Sequence, residues 1–465
     1  FTFTGYDHPL PASMIERPDY SILKEDNSIN NYIYKRSGFP WMLDKNYNEM
    51  EKDKKKAVVV VAKGCVARCT FCHRFEKGYR VSPSDSIIDH MKMLKEQYNV
   101  KYLQIGDENF GSYKDETIKL IRAMKSLEFI WMVGGVRAHT VNLDVLKLWK
   151  ENGCVSVSYG IESGSPTMLK VMEKKVSLEQ NIKALKATYE SGLATFAQLV
   201  VGMPGETDET IEETIDFLLR TMPYYPDLFR NKVTFLCSIN YAQALPGTPL
   251  YEYAREHGFI GKDLDSEESY LIKISDTDAY NCDHFINYTQ QPLLKVLSWR
   301  PKILWKVFRE HAKTNLNISL SKLSILLSLL IISINQIFKT RLSSPLKKTF
   351  DKFKEDLRPA SYNDYFYFQY GLKLLLPWNK FTYPFIVVLI AFKEAAGVAK
   401  YVRGTFKTDF SKGSRKGTKW FFKLIFDHIY WSLNVFKKIN LPKETLRKIV
   451  KIKDTDATLK MRQGR

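Results

Sequence analysis

AVVVVAKGCVARCTFC, residues 57–72, decides the fold. Ala57-Val58-Val59-Val60-Val61-Ala62 is a short, continuous, mostly β-branched run, the pattern of a strand buried on both faces. Lys63-Gly64 breaks the run, and Cys65, Cys69 and Cys72 follow within eight residues. A buried strand that empties into a loop of ligand-type side chains is how parallel α/β folds place their chemistry, at the carboxyl ends of strands.

Working outward, the same alternation continues. Ser84 to Tyr98 predicts a helix with Ile87, Met91, Leu94 and Tyr98 on one face. Val100–Ile105 reads as a strand, Asp115–Leu127 as a helix, Phe129–Val133 as a strand and Leu143–Glu151 as a helix. Val155–Tyr159 is the fourth strand. Ser177-Leu178-Glu179-Gln180 has the capping-box form and opens a helix striped by Leu178, Ile182, Leu185 and Tyr189. Thr195–Val201, Thr210–Leu219 and Val233–Ile239 complete the series as strand, helix and strand.

Six strands alternating with helices at this spacing imply parallel strands and right-handed crossovers, in a doubly wound sheet or a barrel. The strand ends carry Gly106-Asp107-Glu108, Gly134-Gly135-Val136-Arg137, Gly160-Ile161-Glu162-Ser163 and Gly202-Met203-Pro204-Gly205-Glu206. Glycine is common in such turns for backbone reasons alone. The cysteines and acids beside it point to a shared site.

Composition sets the outer bounds. Over 465 residues, 45% hydrophobic and 26% charged content fits a globular protein and excludes global disorder. Six cysteines in so long a chain exclude a disulfide scaffold and suggest a reducing compartment. The chain opens Phe1-Thr2-Phe3-Thr4 without methionine, so a preceding segment is expected. The net charge of +19 is carried entirely by residues 262–465, with 37 Lys+Arg against 18 Asp+Glu. That asymmetry predicts an anionic partner for this part.

The alternation stops after residue 261. Leu323–Phe338 and Thr382–Phe392 are apolar, but at 16 and 11 residues each is shorter than a bilayer span of about 20. Trp420–Lys438 mixes aromatics with lysines and reads as an amphipathic helix. The expected division is a segment 1–56, a core 57–261 and a basic, mainly helical region 262–465.

Three thiolates in a compact loop suit three irons of a cubane and leave the fourth open. The alternatives are a Cys3His zinc site using His73, awkward because His73 directly follows Cys72, and buried structural thiols. Cys154, Cys237 and Cys282 are scattered and read as ordinary thiols.

CVARCTFC, YGIESGSPTMLKVMEK, LVVGMPGETDETIEET and ALPGTPLYE together resemble the radical S-adenosylmethionine (SAM) superfamily, in the branch of cobalamin-associated methylases and methylthiotransferases. The resemblance covers about residues 57–261 and implies a partial (β/α)6 TIM-type barrel. It implies a 4Fe-4S cluster on Cys65, Cys69 and Cys72, with SAM on the open iron and Phe71 beside the last cysteine. Gly106-Asp107-Glu108 would receive the SAM amino group, although it departs from the family's Gly-Gly-Glu. Glu162 and Ser163 would meet the ribose or methionine part, and Gly202 to Gly205 the adenine. Arg137 would pair with a SAM or substrate carboxylate, or make a structural ion pair. Tyr79 and His139 are weaker candidates.

Glu16-Arg17-Pro18-Asp19-Tyr20 resembles the approach segment that follows a cobalamin-binding domain in this branch, which adds cobalamin as a candidate cofactor. The Asp-x-His-x-x-Gly segment of that domain is absent from these residues. A methylthiotransferase would carry further cysteines before Cys65 and a β-rich RNA-binding module at the end, so RNA modification ranks second. The first reading is methylation, or related C–C or C–S modification, of a lipid or envelope precursor. A flavodoxin- or ferredoxin-type reductant is expected, with a cytoplasmic location peripheral on an anionic membrane. A cluster-bearing, non-catalytic membrane adaptor is the alternative from another class.

Overall fold

The computed structural model describes residues 20, 23, 29–35, 54–73, 79–195, 197–224, 237–261, 263–275, 286–315, 383–406, 410–433 and 445–449. Helix α1 (Ile29–Tyr32) leads into strand β1 (Tyr34–Lys35) and then β2 (Lys55–Val59). A short hairpin, β3 (Ala62–Lys63) with β4 (Arg80–Val81), closes the base of the cysteine loop. Then follow α2 (Ser84–Tyr98), β5 (Val100–Ile105), α3 (Lys114–Ser126), β6 (Ile130–Val136), α4 (Leu143–Glu151) and β7 (Cys154–Glu162). After them come α5 (Pro166–Val171), α6 (Leu178–Glu190), β8 (Ala197–Val201), α7 (Asp208–Thr221), β9 (Cys237–Tyr241) and α8 (Pro249–Glu256).

Seven strands make one sheet in the order β1-β2-β5-β6-β7-β8-β9. Only β1 is antiparallel; β2 and β5 to β9 run parallel, each beside its successor in the chain. Right-handed crossovers that always step the same way put all the helices on one face, so the sheet curls with its bare face inward. This is the arc of an incomplete barrel, as the resemblance implied, and not a doubly wound sheet. β1 pairs along the open edge of β2, within a segment that the sequence showed only as a linker.

Side chains alternate accordingly. Ala57, Val59, Leu103, Ile105, Trp131, Val133, Val157, Tyr159, Leu199, Val201 and Ile239 join the helices in one core. The opposite face carries Val58, Gln104, Met132, Ser156, Ser158, Gln198, Ser238 and Asn240. Double-sided burial of the 57–62 run is therefore corrected: Val58 and Val60 are 42% and 43% exposed. They look into the open concavity that an unclosed barrel leaves.

Helix α6 has the expected capping box, with Gln180 N–H donating to Ser177 Oγ and Ser177 N–H to Gln180 Oε1. Its expected stripe is half right. Leu185 is fully buried, but Tyr189 is exposed and Asn181, Ala184 and Thr188 face inward instead.

Beyond the barrel lie α9 (Leu264–Ser275), α10 (Leu293–Asn315), α11 (Tyr383–Phe406), α12 (Phe410–Leu433) and α13 (Leu446–Ile449). Leu294, Trp299 and Ile303 of α10 enter the main core. Lys295 pairs with Asp208 at 2.6 Å, and Lys302 and Lys306 pair with Glu212 at 2.8 and 2.5 Å. Trp299 Nε1 donates to Asp208 Oδ1 at 2.8 Å. Part of the basic excess is thus spent on the acidic first turns of α7. Thr382–Phe392 falls almost wholly within α11, whereas Leu323–Phe338 lies outside the described residues.

Truncating a fully buried leucine leaves a cavity that the fold cannot fill. Leu185→Ala should cost about 2–5 kcal/mol in denaturant unfolding. Tyr189→Ala on the same helix should cost less than about 1 kcal/mol. Equal losses would contradict the assigned face.

Candidate active site

The cysteine loop sits at the carboxyl ends of the strands, pinned from two sides. Thr70 N–H donates to Met172 O at 2.9 Å and Thr70 Oγ1 to Val171 O at 3.0 Å, tying the loop to the end of α5. Leu250 N–H donates to Thr70 O at 3.0 Å, tying it to the start of α8. Phe71 packs on a second, smaller core of Met168, Met172, Met203, Leu250 and Tyr251 that floors the loop. The run Leu245-Pro246-Gly247-Thr248-Pro249 explains this floor. Thr248 caps α8 by accepting from Tyr251 N–H, and Pro249 is preset for the first helical turn.

Cys65 and Cys69 are partly buried and Cys72 lies at the exposed rim. Burial pushes the Cys69 thiol up, and the cations Lys174 and Arg137 pull against it. Burial, with Cys69 and Cys65 close by, pushes Cys72 up to about 11. These three thiols therefore lie within one another's electrostatic reach, and ionising all of them needs compensating positive charge. Among the described residues, no three His, Cys, Asp or Glu side chains converge as ligands of a single ion. The thiolates of a cubane bind three different irons and stand farther apart than the ligands of one ion. Soft donors in one loop, flanked by two cations, fit a three-cysteine 4Fe-4S cluster. His73 turns away, its Nδ1 3.0 Å from Pro246 O.

Glu162 ends β7 in the left-handed region, with φ of +64°. Its Oε1 accepts from Lys174 Nζ at 2.7 Å, and both side chains are nearly buried. A Cβ at Gly160 would collide with this pair, so glycine clears the strand for it. Burial works against the charge of Lys174, but Glu162 and Cys69 outweigh it and raise its pKa. Arg137 Nη2 donates to Lys174 O at 2.9 Å. Lys174 was not singled out from the sequence, although it lies in the YGIESGSPTMLKVMEK stretch, twelve residues beyond Glu162.

The end of β5 carries the acids. Asp107 Oδ1 accepts from Val61 N–H at 2.8 Å, and burial pushes its carboxyl up to about 7. Among the described residues, Asp107 Oδ2, Glu108 Oε2 and both amide atoms of the buried Asn109 have no hydrogen-bond partner. Buried polar atoms without partners are costly, and here they cluster where an amino or hydroxyl group would satisfy them. Asn109 is a second residue the sequence reading passed over; its signal was adjacency to Glu108. Gly106, whose N–H donates to Val59 O, is exposed on the inner face.

Ser163 is buried, and its hydroxyl is committed to Thr214 Oγ1 and Ser165 N–H. Gly202 and Gly205 have φ of +90° and +80°, which L side chains rarely adopt. Glu206 accepts from Gly202 N–H at 2.5 Å and Met203 N–H at 3.3 Å, holding this turn from beneath. Tyr79 lies beside β4, its phenol pushed up to about 12 by burial and Asp107. His139 is lowered by burial and Arg137. Cys154 and Cys237 are buried on the outer face of the sheet, away from the loop, and Cys282 is outside the described residues.

Burial raises Glu206 to about 8. The folded protein then holds this proton more tightly than the unfolded chain does. The resulting stability is complete below the ordinary carboxylate range and is lost as pH climbs to about 8. The cluster-free protein should lose roughly 1–3 kcal/mol between pH 5 and 8.5 in urea titrations. Glu206→Gln should flatten that slope and leave the smaller share due to Asp107. An unchanged slope would remove Glu206 as the buried acid.

A family model described as the radical SAM superfamily matches residues 59–218. A methyltransferase of Pyrococcus horikoshii, described as uncharacterized, is 29% identical over 57% of this chain and 58% of its own length. The cytidylyl-2-hydroxyethylphosphonate methyltransferase of Streptomyces wedmorensis is 27% identical over 45% of this chain and 38% of its own. Among solved structures, the radical SAM methyltransferase TsrM of Kitasatospora setae, with cobalamin and a 4Fe-4S cluster bound, has a TM-score of 0.38. Its identity is 21%, over 48% of this chain and 43% of that one. The chain thus spans well under two thirds of these relatives. Residues 59–218, from β2 into α7 and with three cysteines on the first strand-end loop, thus resemble the radical SAM superfamily.

Proposed function

We propose that this enzyme cleaves SAM reductively at a 4Fe-4S cluster held by Cys65, Cys69 and Cys72 and transfers a methyl or related group to its substrate. The observation that carries this reading is the convergence on one rim of three coupled thiols, the Glu162–Lys174 pair and, among the described residues, the unsatisfied Asp107 Oδ2, Glu108 Oε2 and Asn109 amide. Supporting it, both curated relatives described above are methyltransferases. A bound cluster supplies the single electron that breaks a sulfonium carbon–sulfur bond. The chain's own residues do the rest. Lys174 and Arg137 offset the thiolate charge, and Lys174, charge-coupled to Cys69, is placed to meet a carboxylate. Asp107, Glu108 and Asn109 receive an amino group, and the Gly202–Gly205 turn offers backbone to a flat base. The small and polar inner face admits substrate from the open side of the barrel. Cobalamin is the candidate methyl carrier, and a flavodoxin- or ferredoxin-type protein the electron donor.

Anaerobic reconstitution should give a brown protein with about four irons per chain. With SAM and a reductant it should release 5′-deoxyadenosine or S-adenosylhomocysteine, and comparison with and without cobalamin identifies the carrier. Cys65→Ala, Cys69→Ala and Cys72→Ala should each abolish both the visible band and SAM turnover. Stoichiometric zinc in place of iron after anaerobic purification would overturn the reading.

The structure of the C-terminal region favours a lipid-facing location and a lipid or envelope-precursor substrate. α11 and α12 pack against each other and against α10, burying Ile386, Val387, Ile390 and Leu424. Phe385, Leu389 and Phe392 of α11 remain exposed, as do Phe422, Phe426, Ile429 and Tyr430 of α12. Arg415, Lys416, Lys419 and Lys423 are exposed on the same helix. Aromatics beside exposed cations match an anionic bilayer surface. No described helix is long and apolar enough to cross a membrane. The full-length protein should float with liposomes containing about 30% anionic lipid and stay behind with neutral ones. Phe422→Ser/Phe426→Ser should abolish flotation. Binding to RNA with none to anionic vesicles would replace this reading with the nucleic-acid one.

A further inference from the structure

The last described residues of the chain return to the candidate site. Leu446 of α13 is completely buried in the small core under the cysteine loop, with Met172, Leu250 and Tyr251. Its neighbour Arg447 reaches two places at once. Nη2 donates to Arg68 O at 3.2 Å, in the middle of the loop between Cys65 and Cys69. Nε pairs with Glu173 Oε2 at 3.2 Å, and both side chains are largely buried.

Glu173 opens an unusual turn. Glu173 and Lys175 have φ of +49° and +50°, a left-handed conformation that non-glycine residues adopt only when their surroundings impose it. Between them sits Lys174, the lysine paired with Glu162 and charge-coupled to Cys69. The turn is tied back to α5 by Lys174 N–H donating to Leu169 O, and the loop meets it where Thr70 N–H donates to Met172 O, one residue before Glu173. Arg447 therefore grips both the cysteine loop and the turn presenting Lys174. A planar guanidinium can hold a carboxylate and a carbonyl together in fixed directions, whereas an ammonium is a single point charge.

We propose that Arg447 is a positioning residue for the cluster site, a clasp from the C-terminal end of the chain that fixes the cysteine loop against the Lys174 turn. This rests on the proposed function, but the geometry it predicts exists in the protein before any cluster is added. The clasp does not touch the reacting atoms. It limits how far the loop can open, and hence how easily iron leaves and how well Lys174 is aimed.

The test uses the full-length chain, before and after reconstitution. Before reconstitution, Arg447→Ala should speed hydrogen exchange in peptides spanning 66–71 and 172–176 by about tenfold, the scale for losing a charged, half-buried hydrogen-bond pair. Peptides of α2 and α3 should not change. After reconstitution, iron release to a chelator should quicken by a similar factor. Arg447→Lys should restore the 172–176 peptide but not 66–71, since one ammonium cannot hold both partners. Should Arg447→Ala fail to fold, Glu173→Gln carries the test, with faster exchange expected at 172–176. Its effect should vanish in an Arg447→Met/Glu173→Gln double variant, where no cation is left to pair with position 173. Exchange that is unchanged at 66–71, or that rises equally across the whole chain, would overturn the clasp. Loss of cluster assembly in every protein, wild type included, with the exchange pattern intact, would overturn the proposed function and leave the clasp standing.

Discussion

The constraint behind the whole architecture is that every crossover steps the same way. Six parallel strands laid in chain order bring six strand ends to one rim and leave the inner face without helices. The outer face is filled by helices and becomes the core. The inner face keeps the buried Ser156 and Ser158 and the part-exposed Gln198, Ser238 and Asn240, more polar groups than a closed apolar core would tolerate. A doubly wound sheet of the same strands would have covered Gln198, Ser238 and Asn240 with helices as well. The location of the site, its accessibility and its polarity all descend from this one topological fact.

Within the rim, charge is the organising term. Three thiols in a half-buried loop resist ionisation, as the raised Cys69 and Cys72 show. Lys174 and Arg137 pull in the other direction. Glu162 keeps Lys174 charged despite its burial, and Arg137 holds the Lys174 carbonyl. Removing any member leaves another uncompensated, and a lone buried charge is far costlier than a paired one. The left-handed backbone at Glu162, Glu173 and Lys175 fits this picture, because strain persists only where surrounding contacts over-determine it.

What could be read from the sequence depended on whether the signal was local. The cysteine triplet, the helix α4 at Leu143–Glu151 and the capping box of α6 are patterns within a dozen residues, and they appear where expected. The 57–62 run misled because β-branched residues suit an open inner face as well as a buried one. Tyr189 misled because a helix stripe predicts a face but not where its neighbour ends. Lys174 and Asn109 escaped notice because their roles come from partners brought close by folding. β1 escaped because two residues carry no period. Pairing between Arg447 and Glu173, 274 positions apart, has no sequence signature at all.

The net charge of the C-terminal region illustrates the same point more sharply. A sum over residues 262–465 treats every lysine alike, whereas the fold sets two groups of the described cations apart. Lys295, Lys302 and Lys306 are consumed by Asp208 and Glu212, whose carboxyls are held below their usual range by these lysines despite burial. They glue α10 to the barrel, where that helix covers the outer face beside α7. Arg415, Lys416, Lys419 and Lys423 of α12 remain in solvent next to exposed phenylalanines. Of these two groups, the second lies at the surface and has apolar surface adjacent. Salt should therefore act differently on the two, screening the exposed cations strongly and the half-buried α10 pairs weakly, since screening is effective only where ions can reach. A high-salt wash that strips the protein from vesicles would leave α10 in place on the barrel, because its hold combines paired charge with the buried Leu294, Trp299 and Ile303.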